Sequence, residues 1–259
     1  MKTFIHIAVC LLVFSSNLQA QDMSAYEKKL FIRGRDTLPY RILLPENYDK
    51  SAKYPLIIVL HGAADRGKDN ELQLRSGGKF FLQPGIRKEH PAIIVYPQCP
   101  ESSFWSNVDV RITNGKTFFG FKVAGEPTAA MQLLEQLVKK VIQDNRVDRQ
   151  QVYVGGVAMG GMGTFELVRR MPNVFAAAFP ICGGANPSTA QEMKKTSWWI
   201  FHGARDEVVP SVLSEIMVNA MQGIKADVKY TLYPQGNHSN CDTAFAEPGL
   251  LPWLFSKTK

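Results

Sequence analysis

Residues 155–161 read Gly155-Gly156-Val157-Ala158-Met159-Gly160-Gly161 and follow the apolar run Val152-Tyr153-Val154. Glycines on both sides of position 158 let a strand turn sharply into a helix and leave the central side chain standing on a strained elbow. In acyl-transfer chemistry such an elbow carries a nucleophilic hydroxyl; here it carries a methyl group. Taken alone, Gly-x-Ala-x-Gly is also an ordinary glycine-rich turn before a helix, or a loop that cradles phosphate. Two downstream stretches favour the elbow: Phe201-His202-Gly203-Ala204-Arg205-Asp206-Glu207-Val208-Val209-Pro210 and Tyr233-Pro234-Gln235-Gly236-Asn237-His238. Nucleophile position, acid, then histidine is one of the chain orders in which a hydrolytic triad occurs.

Such a triad needs a histidine base, an acid that holds its tautomer and orientation, and preorganised N–H donors for the oxyanion. His238 is the candidate base, in a Gly-Asn-His-Ser loop where glycine and asparagine let the chain turn; the plain alternative is a surface histidine. Asp206 is the candidate orienting acid, with Val208, Val209 and Pro210 packing behind it; the plain alternative is an N-cap for a helix near Ser211. The oxyanion donors are expected to be main-chain amides, the N–H of Met159 just after the elbow and the N–H of Ala63 in Leu60-His61-Gly62-Ala63-Ala64. His61 and His202 each end a strand and read as structural rings bonded to nearby backbone.

These residues need a scaffold that brings them to one edge. The segments from Tyr26 to Arg33 and from Tyr40 to Leu44, split by Gly34-Arg35-Asp36-Thr37, read as an antiparallel hairpin. The runs 55–60, 92–96, 152–154, 176–181, 198–201 and 228–233 are short and largely apolar, as central strands of a parallel sheet are. Between them, Pro127 opens a helix in which Ala130, Leu134, Leu137, Val138 and Val141 repeat at helical spacing; a second runs from Gly161 to Met171 and stops at Pro172, and a third spans Ser211 to Met221. Strands alternating with helices imply right-handed crossovers and a doubly wound, mostly parallel α/β sheet with helices on both faces and sites beyond the strands' carboxyl ends. Position 158, Asp206 and His238 each follow a predicted strand.

The chain resembles the exported α/β-hydrolases known as predicted peptidases, phospholipase/carboxylesterases or dienelactone-hydrolase-like proteins. The resemblance is carried by Leu60-His61-Gly62, Tyr96-Pro97-Gln98-Cys99-Pro100, the elbow through Gly161-Met162-Gly163-Thr164, Ile181-Cys182-Gly183-Gly184, and Phe201-His202-Gly203 with Asp206. Feruloyl and polyhydroxybutyrate esterases are more distant relatives. The resemblance implies an α/β-hydrolase fold over residues 21–259, no cofactor, and a small-molecule or polysaccharide ester as substrate. In that family position 158 is serine, or cysteine in the dienelactone hydrolases proper, and this chain departs from both. The family also places its acyl or sugar pocket beside the stretch Pro100 to Gly125, which makes Trp105 a candidate substrate platform; packing of the loop against the domain is the alternative for Trp105 and for Phe118, Phe119 and Phe121.

Alanine has no lone pair with which to attack a carbonyl. Loss of a triad serine, as measured in subtilisin, costs about 2 × 10⁶ in kcat, on the order of 8 kcal/mol of transition-state stabilisation. Thr164 lies more than a helical turn further along and is no substitute. Three readings follow: a carboxylic-ester hydrolase whose serine has been replaced, by engineering or otherwise; a natural pseudohydrolase that binds an ester or carbohydrate without turnover; and an enzyme in which His238 and Asp206 activate water directly.

Residues 1–20, with Lys2, an apolar run from Phe4 to Phe14 and a small residue at Ala20, have the form of a cleaved secretory signal, and the run is too short to span a bilayer. The expected product is exported, periplasmic or extracellular, and free of the membrane after cleavage. The 30 Lys and Arg against 23 Asp and Glu give a net charge of +7, scattered rather than clustered, which argues against nucleic acid as a partner. No Cys/His cluster has metal-ligand spacing, so no metal is expected. Cys182 and Cys241 are near enough to elements of the site to meet, though a plain buried thiol is the expected fate of each, and of Cys99. Oligomeric state leaves no mark in the sequence.

Overall fold

The computed structural model describes residues 22–144 and 146–259, without the side chains of residues 240–242. The expected signal over residues 1–20 lies outside the described residues. Strands β1 (Glu27–Arg33) and β2 (Asp36–Leu43) form the N-terminal hairpin, followed by β3 (Tyr54–Leu60), β4 (Ile93–Pro97), β7 (Val147–Val157), β8 (Ala177–Ile181), β9 (Ser197–Gly203) and β10 (Val228–Tyr233). They make one eight-stranded sheet in the order β1-β2-β4-β3-β7-β8-β9-β10. The β1–β2 and β2–β4 pairs are antiparallel and every other pair is parallel, which is the α/β-hydrolase arrangement expected.

Alternation along the strands sends side chains into two separate cores. Leu56, Ile58 and Leu60 of β3 join one cluster with Val152 and Val154, and Ile57 and Val59 join the other with Tyr153, Phe179 and Phe201. Helices α3 (Ala129–Asp144), α4 (Met159–Arg170) and α5 (Val212–Gly223) cover the first face through residues such as Leu134, Phe165 and Met217. The second face is covered by α1 (Gly78–Phe81), α6 (Leu250–Phe255) and the turn around Phe245. A short α2 (Pro84–Glu89) follows α1. Each fully buried Leu, Ile or Phe contributes about 1.5–3 kcal/mol, and both faces of the central strands are filled. Among the described residues no helix is long and apolar enough to cross a membrane.

Two segments differ from the expectation. The N-terminal hairpin turns more tightly than the four-residue break suggested: Asp36 pairs with Arg33 and Thr37 with Ile32, so the turn is Gly34-Arg35, with Gly34 at φ 60°. The stretch Pro100 to Gly125, to which sequence reasoning assigns no element, contains its own antiparallel pair, β5 (Val108–Thr113) and β6 (Lys116–Phe121), joined by Asn114 and Gly115, both at positive φ. That is the backbone geometry for which Asn-Gly turns are selected.

Candidate active site

The elbow is built as its glycines require. Ala158 has φ 54° and ψ −111°, a strained conformation for a residue with a Cβ, and its side chain sits at the junction of β7 and α4. Its N–H donates to Ile181 O (2.9 Å) and its carbonyl accepts from Met162 N–H (3.0 Å). The glycines are obligatory for a contact reason as well. A Cβ on Gly156 would stand 2.4 Å from Leu60 O, and one on Gly161 2.6 Å from Ile181 O.

The loop after β3 lies against this elbow. A Cβ placed on Gly62 would be 4.0 Å from that of Ala158, so Gly62 borders the side chain on the elbow. Met159 is the first residue of α4 and Ala63 the first of a short 3-10 turn, Ala63–Asp65, so the N–H of each precedes any intrahelical acceptor. Both candidate donors thus sit at helix starts, where anionic charge is favoured.

Arg66 ties the donor loop to its neighbour. Its Nε donates to Ala63 O (3.1 Å), its Nη1 donates to Glu101 O (3.0 Å) and Ser103 O (3.3 Å), and the guanidinium lies 5.2 Å from the Phe104 ring centroid. Sequence reasoning missed Arg66, because bonds to carbonyl oxygens leave no pattern in side-chain types.

Beyond β9 and β10 the acid and the histidine meet. His238 Nδ1 donates to Asp206 Oδ2 at 2.8 Å, while Asp206 Oδ1 accepts the N–H groups of Val208 (2.9 Å) and Val209 (2.8 Å). The Asp206 carboxylate is buried and the His238 ring is 28% exposed. Asp206 therefore caps its own turn, not the helix near Ser211, and fixes the histidine in the tautomer that leaves Nε2 free to accept a proton. Burial alone would raise the Asp206 pKa. The interactions with His202 and His238 and the Val209 N–H outweigh it and hold the carboxyl well below the usual carboxylate range.

The two halves of the site are joined through the end of β8. Ile181 O accepts the Ala158 N–H, and the next residue, Cys182, places Sγ within 4.8 Å of an Asp206 carboxylate oxygen and a His202 ring nitrogen. Cys182 is disulfide-bonded, which corrects the expectation of a plain buried thiol there; Cys99 is a buried free thiol. The Cys182, His202 and Asp206 cluster has the compactness of a metal site, but a disulfide sulfur is not a thiolate ligand, and His202 has both nitrogens within hydrogen-bonding distance of Val209 O (2.8 Å) and Ser214 Oγ (2.7 Å).

His61 behaves as a structural ring. Its Nδ1 donates to Gly62 O (2.7 Å) and its Nε2 accepts from Cys99 N–H (2.9 Å). Burial pushes its pKa down to about 4. Trp105 is fully buried, edge-on to His61 at 5.5 Å between centroids, with Gly163 of α4 leaving room for its Cβ. It presents no face to solvent. Of the three phenylalanines on β6, Phe119 and Phe121 stack at 6.3 Å and Phe118 is exposed.

The model of a family described as phospholipase/carboxylesterase matches residues 46–247. Among curated proteins, a probable feruloyl esterase C from Aspergillus terreus is 28% identical over 69% of this chain and 57% of its own length. A poly(3-hydroxyalkanoate) depolymerase C from Paucimonas lemoignei is 26% identical over 51% of this chain and 28% of its own. Among solved structures, that of a thermostable esterase superposes with a TM-score of 0.81 at 29% identity, covering 92% of this chain and 64% of that one. A ferulic acid esterase gives a TM-score of 0.64 at 15% identity, over 88% and 96% of the two chains, a likeness of fold alone. The chain thus spans little more than half the length of the feruloyl esterase it matches and about a quarter of the depolymerase.

Proposed function

This chain belongs to the phospholipase/carboxylesterase family of α/β-hydrolases, and from that premise we propose that it is the scaffold of a carboxylic-ester hydrolase in a form that lacks its nucleophile. The observation that carries the reading is the 2.8 Å bond between His238 Nδ1 and the buried Asp206 carboxylate, on a fold whose elbow holds Ala158 at φ 54°. With serine at 158, His238 Nε2 would take the hydroxyl proton as Oγ attacks the ester carbonyl. The N–H groups of Met159 and Ala63 would hold the oxyanion, and His238 would return the proton to the leaving alcohol. Asp206 would steady the imidazolium throughout. With a methyl group there, no acyl-enzyme forms.

Names among the relatives support an ester of a carbohydrate polymer as the substrate class: one is a feruloyl esterase and another a bifunctional acetylxylan esterase/xylanase. The leader-like residues 1–20 support export to the periplasm or beyond, where such polymers are met. Binding without turnover is the second reading, and Ala158 itself is the observation that favours it.

Hydrolysis of short p-nitrophenyl esters by this chain and by Ala158→Ser separates the readings. Turnover restored by the serine establishes the hydrolase scaffold. No turnover in either form, with retained affinity for an acylated oligosaccharide, establishes the binding protein. Turnover by the alanine form that survives removal of contaminating esterases overturns both in favour of direct water activation.

A further inference from the structure

The acid of this site is not shared by one histidine only. His202, at the end of β9 and wholly buried, lies on the other side of Asp206, with Nε2 3.6 Å from Oδ2. At that distance the contact is electrostatic rather than a hydrogen bond, because Nε2 is taken up by Val209 O at 2.8 Å. A carbonyl oxygen only accepts, so Nε2 carries a proton. The other nitrogen, Nδ1, is 2.7 Å from Ser214 Oγ, and that hydroxyl is 2.9 Å from Gly183 O, which also only accepts.

A serine hydroxyl has one proton. If it goes to Gly183 O, the Ser214 oxygen is an acceptor towards His202, and Nδ1 must donate as well. If instead it goes to Nδ1, the buried Gly183 carbonyl loses this donor, and an unsatisfied buried acceptor is costly. The arrangement that satisfies all four groups has N–H on both ring nitrogens, and the charge this creates faces a buried carboxylate.

We propose that His202 is a positioning residue that carries both ring protons, serves as the resident counterion of Asp206, and thereby leaves His238 a weaker base than a lone aspartate would make it. Among the described residues, the other groups around His202 supply no competing charge. Cys182 from β8 is disulfide-bonded, Ser214 from α5 is neutral, and Tyr233 at the end of β10 is a phenol whose pKa is raised by burial and by Glu247, to which its hydroxyl donates. On the same turn Arg205 and Glu207 are exposed. With His202 charged, the acid and its counterion together are neutral, so protonation of His238 gains less from Asp206.

The protonation state is tested without any turnover, and only its effect on catalysis rests on the hydrolase reading. Imidazole ¹⁵N spectra of the chain as it stands should show both His202 nitrogens as protonated from about pH 6 to about pH 8. A resonance of the unprotonated type at either nitrogen near neutral pH overturns the proposal, whatever the Ala158→Ser assay shows. In the Ala158→Ser background, His202→Gln keeps a donor for Val209 O but removes the charge. The acid limb of its kcat/KM profile should then lie about one pH unit higher, and an unmoved limb overturns the coupling to His238. Should the glutamine variant fail to fold, the nitrogen resonances of the unaltered chain decide the matter alone.

Discussion

Gly160 and Leu60 meet backbone to backbone: a Cβ on Gly160 would lie 2.0 Å from Leu60 O and 2.5 Å from its carbonyl carbon. Helix α4 is pressed against the end of β3 at this point, and no side chain can move aside to make room. Gly160→Ala is expected to destabilise the fold by at least about 3 kcal/mol, measured as a lowered urea midpoint. An unchanged midpoint would mean that the helix is free to slide away from the sheet.

Ala158 invites the opposite change. Its φ of 54° strains a residue with a Cβ, and Ala158→Gly removes that strain while giving back some unfolded-state entropy. A net gain of about 1 kcal/mol is expected in urea unfolding. Destabilisation instead would show that the methyl group's packing outweighs the strain.

His61 makes stability depend on pH. Its folded-state pKa of about 4 lies below the ordinary histidine value because the ring is buried and neutral, so the unfolded chain binds its proton first. Its contribution is complete above about pH 6.5 and is lost as pH falls towards 4, by up to about 3 kcal/mol. Replacing His61 with glutamine should flatten the unfolding free energy between these limits; an equally steep slope in the variant would assign it to other groups.

Asp206 acts over a lower window. Its pKa is depressed in the folded state, so its stabilisation is present above the ordinary aspartate value near pH 4 and falls away as the carboxyl protonates below it. Asp206→Asn should lose that acid-dependent part of stability. In the Ala158→Ser background the same change should lower kcat by about 10⁴, through the wrong imidazole tautomer. A loss of tenfold or less would show that His238 is oriented by something else.

Cys99 offers a chemical check on the packing. Burial pushes its thiol up to about 12, so it holds little thiolate at neutral pH. Iodoacetamide should leave the Cys99 peptide unmodified in the native protein and alkylate it after denaturation; rapid native labelling would show that the segment after β4 opens to solvent.

The parts of this molecule that were legible in the sequence are those with a steric or periodic demand. Gly156, Gly160 and Gly161 mark the elbow because backbone contacts exclude any Cβ there, and β3, β8 and β9 announce themselves as runs apolar on both faces. Asp206 and His238 could be named from order and neighbourhood. Less legible was whatever depends on the main chain or on a single long-range pair: the Arg66 contacts to carbonyl oxygens, the Val209 N–H on the Asp206 carboxylate, and the His202 to Ser214 hydroxyl bond, which joins β9 to α5 without any periodic signal. The β5–β6 hairpin did leave a trace, in Val108, Val110 and Ile112 alternating with Asp109 and Arg111 before Asn114-Gly115. The trace is weak because Val110 and Ile112 remain exposed, and solvent-facing strands lack the dense apolar content of core ones. The bonding of Cys182 was beyond the sequence altogether, since cysteine positions do not fix connectivity.

The guanidinium of Arg66 links the loop after β3 to the segment after β4, gripping the Ala63 carbonyl on one bank and the Glu101 and Ser103 carbonyls on the other. A bulky guest that pushed the 101–104 segment outward would pull on this rivet, and the tug would reach the peptide next to the one expected to steady a developing negative oxygen. Were the Ala63 N–H such a donor, guest size and donor alignment would be mechanically linked, and cutting the rivet would loosen that link.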